Sequence, residues 1–359
     1  MAYLPTTAHV TLLATLRRER LLPLAGTVIV QAKQRLEPTD VVARTLLAKG
    51  HRLVDVARAL GLPDDEADSL LVKHDGDAVK AGEPLAVRKT GLGLRRRTAR
   101  SPVDGRLVVA AGGKALLAAI SEPFELRAAI PGVVVTILQS QGVVIETTGA
   151  LLEGVWGNGK NDTALLRVVV DGPRGALTAN QVTVELRGAI VVAGTLADPT
   201  ALKQLGDVGV RGLLVGSLAP TLLPAAQKAG FPVVVVEGFG GRGFSAPAHN
   251  LLTGNAGRQA WLNAQMSDPF AGRRPELIIP LPGPSIPPPQ PMDGQTLDIG
   301  RRVRVLRGPE AGQVGTVTEL SPRPLVMPSG LRTPVAGVAL EGATGPAARV
   351  AFANLEILE

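Results

Sequence analysis

Seven of the twelve residues from Pro280 to Pro291 are proline, including the run Pro287-Pro288-Pro289. Proline fixes φ and has no backbone N–H, so neither a helix interior nor a central strand can pass through such a run. The stretch reads as a stiff, extended spacer that divides the chain. With 359 residues, the protein is also long for a single core. The pattern on either side predicts four regions: 1–186, 187–281, the spacer 282–294 and 295–359.

Aromatic residues make up only 3% of the chain, so its cores must be built from Val, Leu, Ile and Ala. The 42 glycines and many short Val-rich runs suit strands joined by tight turns. There is no cysteine, which excludes disulfides, thiol nucleophiles and Cys-based zinc sites. The four histidines, His9, His51, His74 and His249, lack the spacing of a helical metal site. No metal and no cofactor is expected. The net charge of +7 favours acidic partners such as nucleic acid or anionic membrane surfaces. Residues 1–20 place their apolar stretch before Arg17, Arg18 and Arg20, the reverse of a secretory signal. No apolar run is long enough to span a bilayer as a helix, so a cytoplasmic protein without a membrane partner is expected.

Region 1–186 repeats a short strand, a Gly turn and another Val- or Leu-rich strand. A helical insert is expected near 52–72, with one helix from Arg52 to Leu60 ended by Gly61 and a second opened by Pro63-Asp64-Asp65-Glu66. Within this region Gly76-Asp77-x-Val79-x-x-Gly82-x-x-Leu85 resembles the hammerhead turn of barrel-sandwich hybrid domains, the family of lipoyl and biotinyl carriers. Pro102-x-x-Gly105-x-Leu107 resembles the partner strand of such a domain. Carrier members hold a modifiable lysine at a hairpin tip. Lys114 is the nearest candidate, but its flanks differ, and the resemblance implies a module reused as structure.

Region 187–281 changes period. Ala189-Ile190-Val191-Val192-Ala193-Gly194, Gly212-Leu213-Leu214-Val215-Gly216 and Pro232-Val233-Val234-Val235-Val236-Glu237 are continuous apolar runs separated by short helical patterns. Buried parallel strands with crossover helices read this way. One helix is expected from Pro199 to Leu205, capped by Asp198 and ending near Gly206, and another between Pro220 and Ala229.

In the last region Ile299 to Leu306 alternates, Arg307-Gly308-Pro309-Glu310-Ala311-Gly312 turns, and Gln313 to Leu320 alternates again. This resembles the KOW motif, with Val350 to Leu358 as the closing strand. The resemblance implies an SH3-like barrel that contacts RNA, the ribosome or RNA polymerase. The expected architecture is therefore multidomain α/β and β: a barrel-sandwich-like β region, a small parallel-sheet α/β domain and a C-terminal SH3-like KOW barrel.

Two basic clusters are candidate nucleic-acid contacts. One is Arg301, Arg302, Arg304 and Arg307, where alternation puts Arg302 and Arg304 on one face, free for phosphates or for docking onto a neighbouring domain. The other contains Arg88, Lys89, Arg95, Arg96, Arg97, Arg100 and Arg106, opposed only by Asp104. No aromatics interleave with the arginines of the last region, so base stacking is not expected there. Gly238-Phe239-Gly240-Gly241-Arg242-Gly243 follows a strand and matches a glycine-rich phosphate loop, although Pro247 interrupts the helix that should follow. Trp156-Gly157-Asn158-Gly159-Lys160-Asn161-Asp162 reads as a hairpin turn. No nucleophile elbow or Ser-His-Asp order appears, and no catalytic residue is nominated. The leading expectation is a non-enzymatic adaptor for RNA or an RNA-containing machine. A nucleotide or other phosphate ligand on the α/β region, with an enzymatic role, and a purely structural subunit are the alternatives.

Overall fold

A computed structural model describes residues 3–90, 95–268, 272–283, 287–292 and 294–358. The chain is mostly β and forms several sheets. The largest sheet has 12 strands. Its centre is parallel, as the apolar runs imply: Asn161–Val168, Ala189–Leu196, Gly212–Leu218 and Val233–Phe239 lie side by side. Period-two alternation sends Val192, Leu214 and Val234 to one face and Val191, Leu213 and Val233 to the other. Helices Pro199–Val208 and Leu223–Lys228 cover the second face, and Ala246–Gly254 covers the first.

Asp198 caps the first of these helices by accepting from the Thr200 N–H at 2.8 Å. That helix runs past Gly206 and ends at Gly209, whose φ of 82° supplies the left-handed cap. The sheet does not stop at residue 187. Asn161–Val168 pairs parallel with Ala189–Leu196 on one side and antiparallel with Gln259–Asn263 on the other. Strands Glu276–Pro280, Gly142–Glu153 and Val10–Leu21 continue it. The β-rich first region and the α/β region therefore share hydrogen bonds and a core.

A ribbon leaves this body. Val41–Asp55 pairs antiparallel with Lys114–Arg127 along most of its length. Pairing of His51, Arg52, Leu53, Val54 and Asp55 with residues 114–118 holds that stretch extended, where a helix from Arg52 is expected from its pattern. Helix begins only at Val56, with Asp55 as its cap, and Gly61 ends it at φ 65° as expected. At the far end of the ribbon, Val56–Leu60, Asp64–Asp68, the pair Ala78–Val79 and Gly105–Ala111, and the hairpin Pro84–Thr90/Arg95–Arg100 enclose a small core of Leu60, Val79, Leu85, Leu107 and Leu117. Asp68 fastens the Gly112-Gly113 turn by accepting both backbone N–H groups, at 2.8 and 2.9 Å.

The C-terminal sheet orders Leu355–Leu358, Arg302–Val305, Val314–Val326, Arg332–Leu340 and Ala348–Ala351, all antiparallel. A 3-10 turn, Phe352–Asn354, leads from the last of these edges back to the first. Val303, Val305, Val317, Val338 and Ile357 form its core. Thr7–Ala8 adds a parallel strand beside Leu355–Leu358, and Tyr3 packs on Phe352 at 5.3 Å between ring centroids. The proline-rich stretch is not a free spacer. Thr15 donates its N–H to Pro289 and its hydroxyl to Pro288, and Leu281 donates to Thr148. Prolines lack N–H but keep carbonyls, and here those carbonyls accept from the sheet.

Candidate nucleic-acid interface

The second basic cluster is a hairpin whose register sets like charges opposite one another. Arg88 faces Arg97, and Lys89 faces Arg96. Alternation gives the two faces different work. Arg88 points to the end of helix Val56–Leu60 and donates to the carbonyls of Leu60 at 3.1 Å and Gly61 at 2.7 Å. The Arg97 guanidinium lies against Gly61, so a side chain at Gly61 would collide with it. These two cations serve the negative end of the helix. The other face carries Lys89, Arg96 and Arg100, all exposed. Arg100 donates to the Gly82 carbonyl at 2.7 Å. None of the three ion-pairs with a carboxylate among the described residues. Arg106, on the adjoining strand, is exposed as well. The Arg95 side chain lies outside the described residues, although its backbone pairs with Thr90.

The C-terminal arginines separate differently. Arg302 and Arg304 do not share a solvent face. Arg302 is half-exposed and pairs with Glu341 at 2.7 Å. Arg304 is 3% exposed and lies between two buried carboxylates. It grips Glu356 of its own sheet and reaches Glu237, at the carboxyl end of strand Val233–Phe239. Arg274 closes the network on Glu356 at 2.7 Å. Burial opposes charge on Arg304, but the two carboxylates outweigh it and hold the guanidinium more firmly protonated than a free arginine. Burial likewise pushes the Glu356 carboxyl up, and Arg304 and Arg274 together bring it below the ordinary carboxylate value. This arginine is a dock between sheets and is closed to phosphate. Arg301 and Arg307 remain without a described carboxylate partner.

The glycine-rich loop stands where a parallel sheet commonly binds ligands, beyond the carboxyl ends of its strands. Gly240 and the two residues that follow the loop are hydrogen-bonded within the protein. Gly240 donates to Leu218, Phe244 to Pro173, and Ser245 to Glu237 at 2.8 Å. A Cβ at Gly243 would run into the Pro173 carbonyl, so that glycine permits close backbone packing. Arg242 lies against Gly312, in the turn of the C-terminal sheet. Of the loop residues, Arg242 thus reaches the C-terminal sheet, Gly243 packs on Pro173, and a Cβ at Gly238, Gly240 or Gly241 would meet no neighbour.

The Trp156–Asp162 segment is not a hairpin. Trp156–Gly157 pairs with Val233–Phe239, and Asn161–Val168 pairs with other strands. Trp156 meets Phe239 edge-on at 6.2 Å. Buried Asn158 donates to the carbonyls of Ala226 and Phe231 and accepts from the Val233 N–H at 3.1 Å. Lys160 donates to Ala229, just past helix Leu223–Lys228. Asn158→Ala would leave three buried backbone groups without these partners and is expected to cost about 2–4 kcal/mol in urea unfolding. Lys160→Met, at the rim, should cost under about 1 kcal/mol.

Among the described residues, no group of three His, Asp or Glu side chains is placed to hold a metal ion. Likewise, no described helix is long and apolar enough to cross a membrane. Neither protein-family models nor curated proteins match the chain.

Proposed function

We propose that this protein is a non-enzymatic RNA-binding adaptor. Its principal contact is the outward face of the basic hairpin, and its C-terminal sheet, read as a KOW-type barrel, adds Arg301 and Arg307. One observation carries this reading: Lys89 stands in register with Arg96, Arg100 shares their face, and no described carboxylate neutralises them. Like charges directly opposite on paired strands repel and destabilise the pair. Phosphates relieve that repulsion, and the counterions they release drive binding. Such contacts read the backbone and carry little base sequence.

The test is fluorescence anisotropy of a labelled structured RNA with the full chain. Lys89→Gln/Arg96→Gln/Arg100→Gln should weaken binding strongly. Removing an equal number of exposed cations elsewhere, Arg167→Gln/Arg187→Gln/Arg258→Gln, should change it little. Equal losses in the two variants would sink the hairpin as the contact, and no binding by the parent protein would sink the RNA reading.

A further inference from the structure

A second basic site lies away from the hairpin. A cavity of about 710 Å³ opens between strand Val10–Leu21, strands Gln259–Asn263 and Glu276–Pro280, and residues 272–274 and 290–291. That volume lies within the range of small-molecule sites. Five arginines line it, and four have carboxylate partners. Arg17 pairs with Glu146 at 2.7 Å and Arg18 with Glu276 at 2.6 Å. Arg274 pairs with Glu356 at 2.7 Å and Arg273 with Asp268 at 3.6 Å.

Arg20 is the fifth. Its Nε donates to the Arg127 carbonyl at 3.1 Å, and its guanidinium lies over the Trp261 ring, 5.3 Å from the centroid. Its two Nη nitrogens donate to no described residue, and no described carboxylate pairs with it. Burial lowers its pKa to about 10, and it remains a cation at neutral pH. The Trp261 ring and the Arg127 carbonyl hold the guanidinium in place, and its two Nη nitrogens remain available to a ligand. A fixed guanidinium edge matches the two oxygens of a carboxylate or phosphate. Glu19 and Glu153 also line the cavity, and their carboxyl oxygens can accept from hydroxyls.

We propose that this cavity binds a small, hydroxyl-rich organic oxyanion, with Arg20 as the bidentate anchor for its phosphate or carboxylate group. The site is distinct from the RNA-binding hairpin.

Titration of the full chain with ribose 5-phosphate and, separately, with gluconate tests both anion sources. Inorganic phosphate serves as the bare-anion control. The readouts are calorimetry and the fluorescence of Trp261, against which Trp156 is a constant background. One of the two organic probes should bind saturably, more tightly than phosphate, and change the emission. The probe that binds identifies the anion. Arg20→Gln should lose about ten- to hundredfold in affinity. Arg20→Lys keeps the charge without the fork and should recover only part, and both variants should bind RNA as the parent does. If Arg20→Gln fails to fold, Arg20→Lys carries the comparison. No saturable binding of either organic probe to the parent protein, or unchanged affinity in the folded Arg20 variant, would overturn the proposal.

Discussion

Replacing Arg304 with methionine is expected to destabilise the protein by about 3–5 kcal/mol, the range for breaking a buried ion pair from one side. The substitution leaves Glu237 and Glu356 buried near one another, with Arg274 as the one remaining cation of the network. Methionine fills much of the arginine's volume, so the loss reports charge rather than a cavity. A second substitution, Glu356→Leu, should recover part of the loss by removing one of the stranded charges. Equilibrium unfolding in urea measures both. The acid dependence has a defined sign. Glu356 has a folded pKa below its ordinary value of 4.5, so its contribution is full above that value. It is lost as the pH falls through the lower folded value. The Arg304→Met variant should lose that portion of the acid sensitivity. Equal stability of variant and parent at neutral pH would contradict the role of Arg304 as the dock between the sheets.

The hairpin variant Lys89→Gln/Arg96→Gln/Arg100→Gln is expected to bind RNA about ten- to hundredfold more weakly at low salt, as losing several phosphate contacts implies. A single substitution separates binding from structure. Arg96→Glu sets a carboxylate opposite Lys89, which should stabilise the hairpin by about 0.2–1 kcal/mol while weakening RNA binding. Arg88→Gln should do the reverse. It removes the donor to the Leu60 and Gly61 carbonyls, so it lowers stability and leaves affinity nearly unchanged. Opposite signs at two positions of one hairpin cannot arise from general loss of fold.

Much of the parallel sheet was legible because its strands are buried on both faces. Continuous apolar runs such as Gly212 to Leu218 admit few other readings. Helix caps at Asp198 and Gly61 were legible for a similar reason, since each is decided by local chemistry. Long-range choices were not. Residues 51–55 are strand because residues 114–118 lie beside them, a fact that no local window contains. Thr7–Ala8 joins the far end of the chain without any pattern of its own. Alternation assigns residues to faces, but it does not say what covers a face. Arg304 therefore reads as open either to phosphate or to a neighbouring domain, and only the fold shows that Glu237 and Glu356 enclose it. Arg20 gives no signal beyond its place in a charged run, because its meaning depends on Trp261, which stands 241 positions later in the chain. The outward hairpin cations were visible as a cluster. Their register, which sets Lys89 against Arg96, required the fold.

The most direct measurement is the salt dependence of RNA binding by the parent protein and by Lys89→Gln/Arg96→Gln/Arg100→Gln. If the three hairpin cations each neutralise a phosphate, the slope of log K against log salt becomes shallower by about 2–3 in the variant, from the release of about 0.7–0.9 counterion per contact. Parallel lines of equal slope would mean that the hairpin does not touch the nucleic acid, and the proposed interface would be withdrawn.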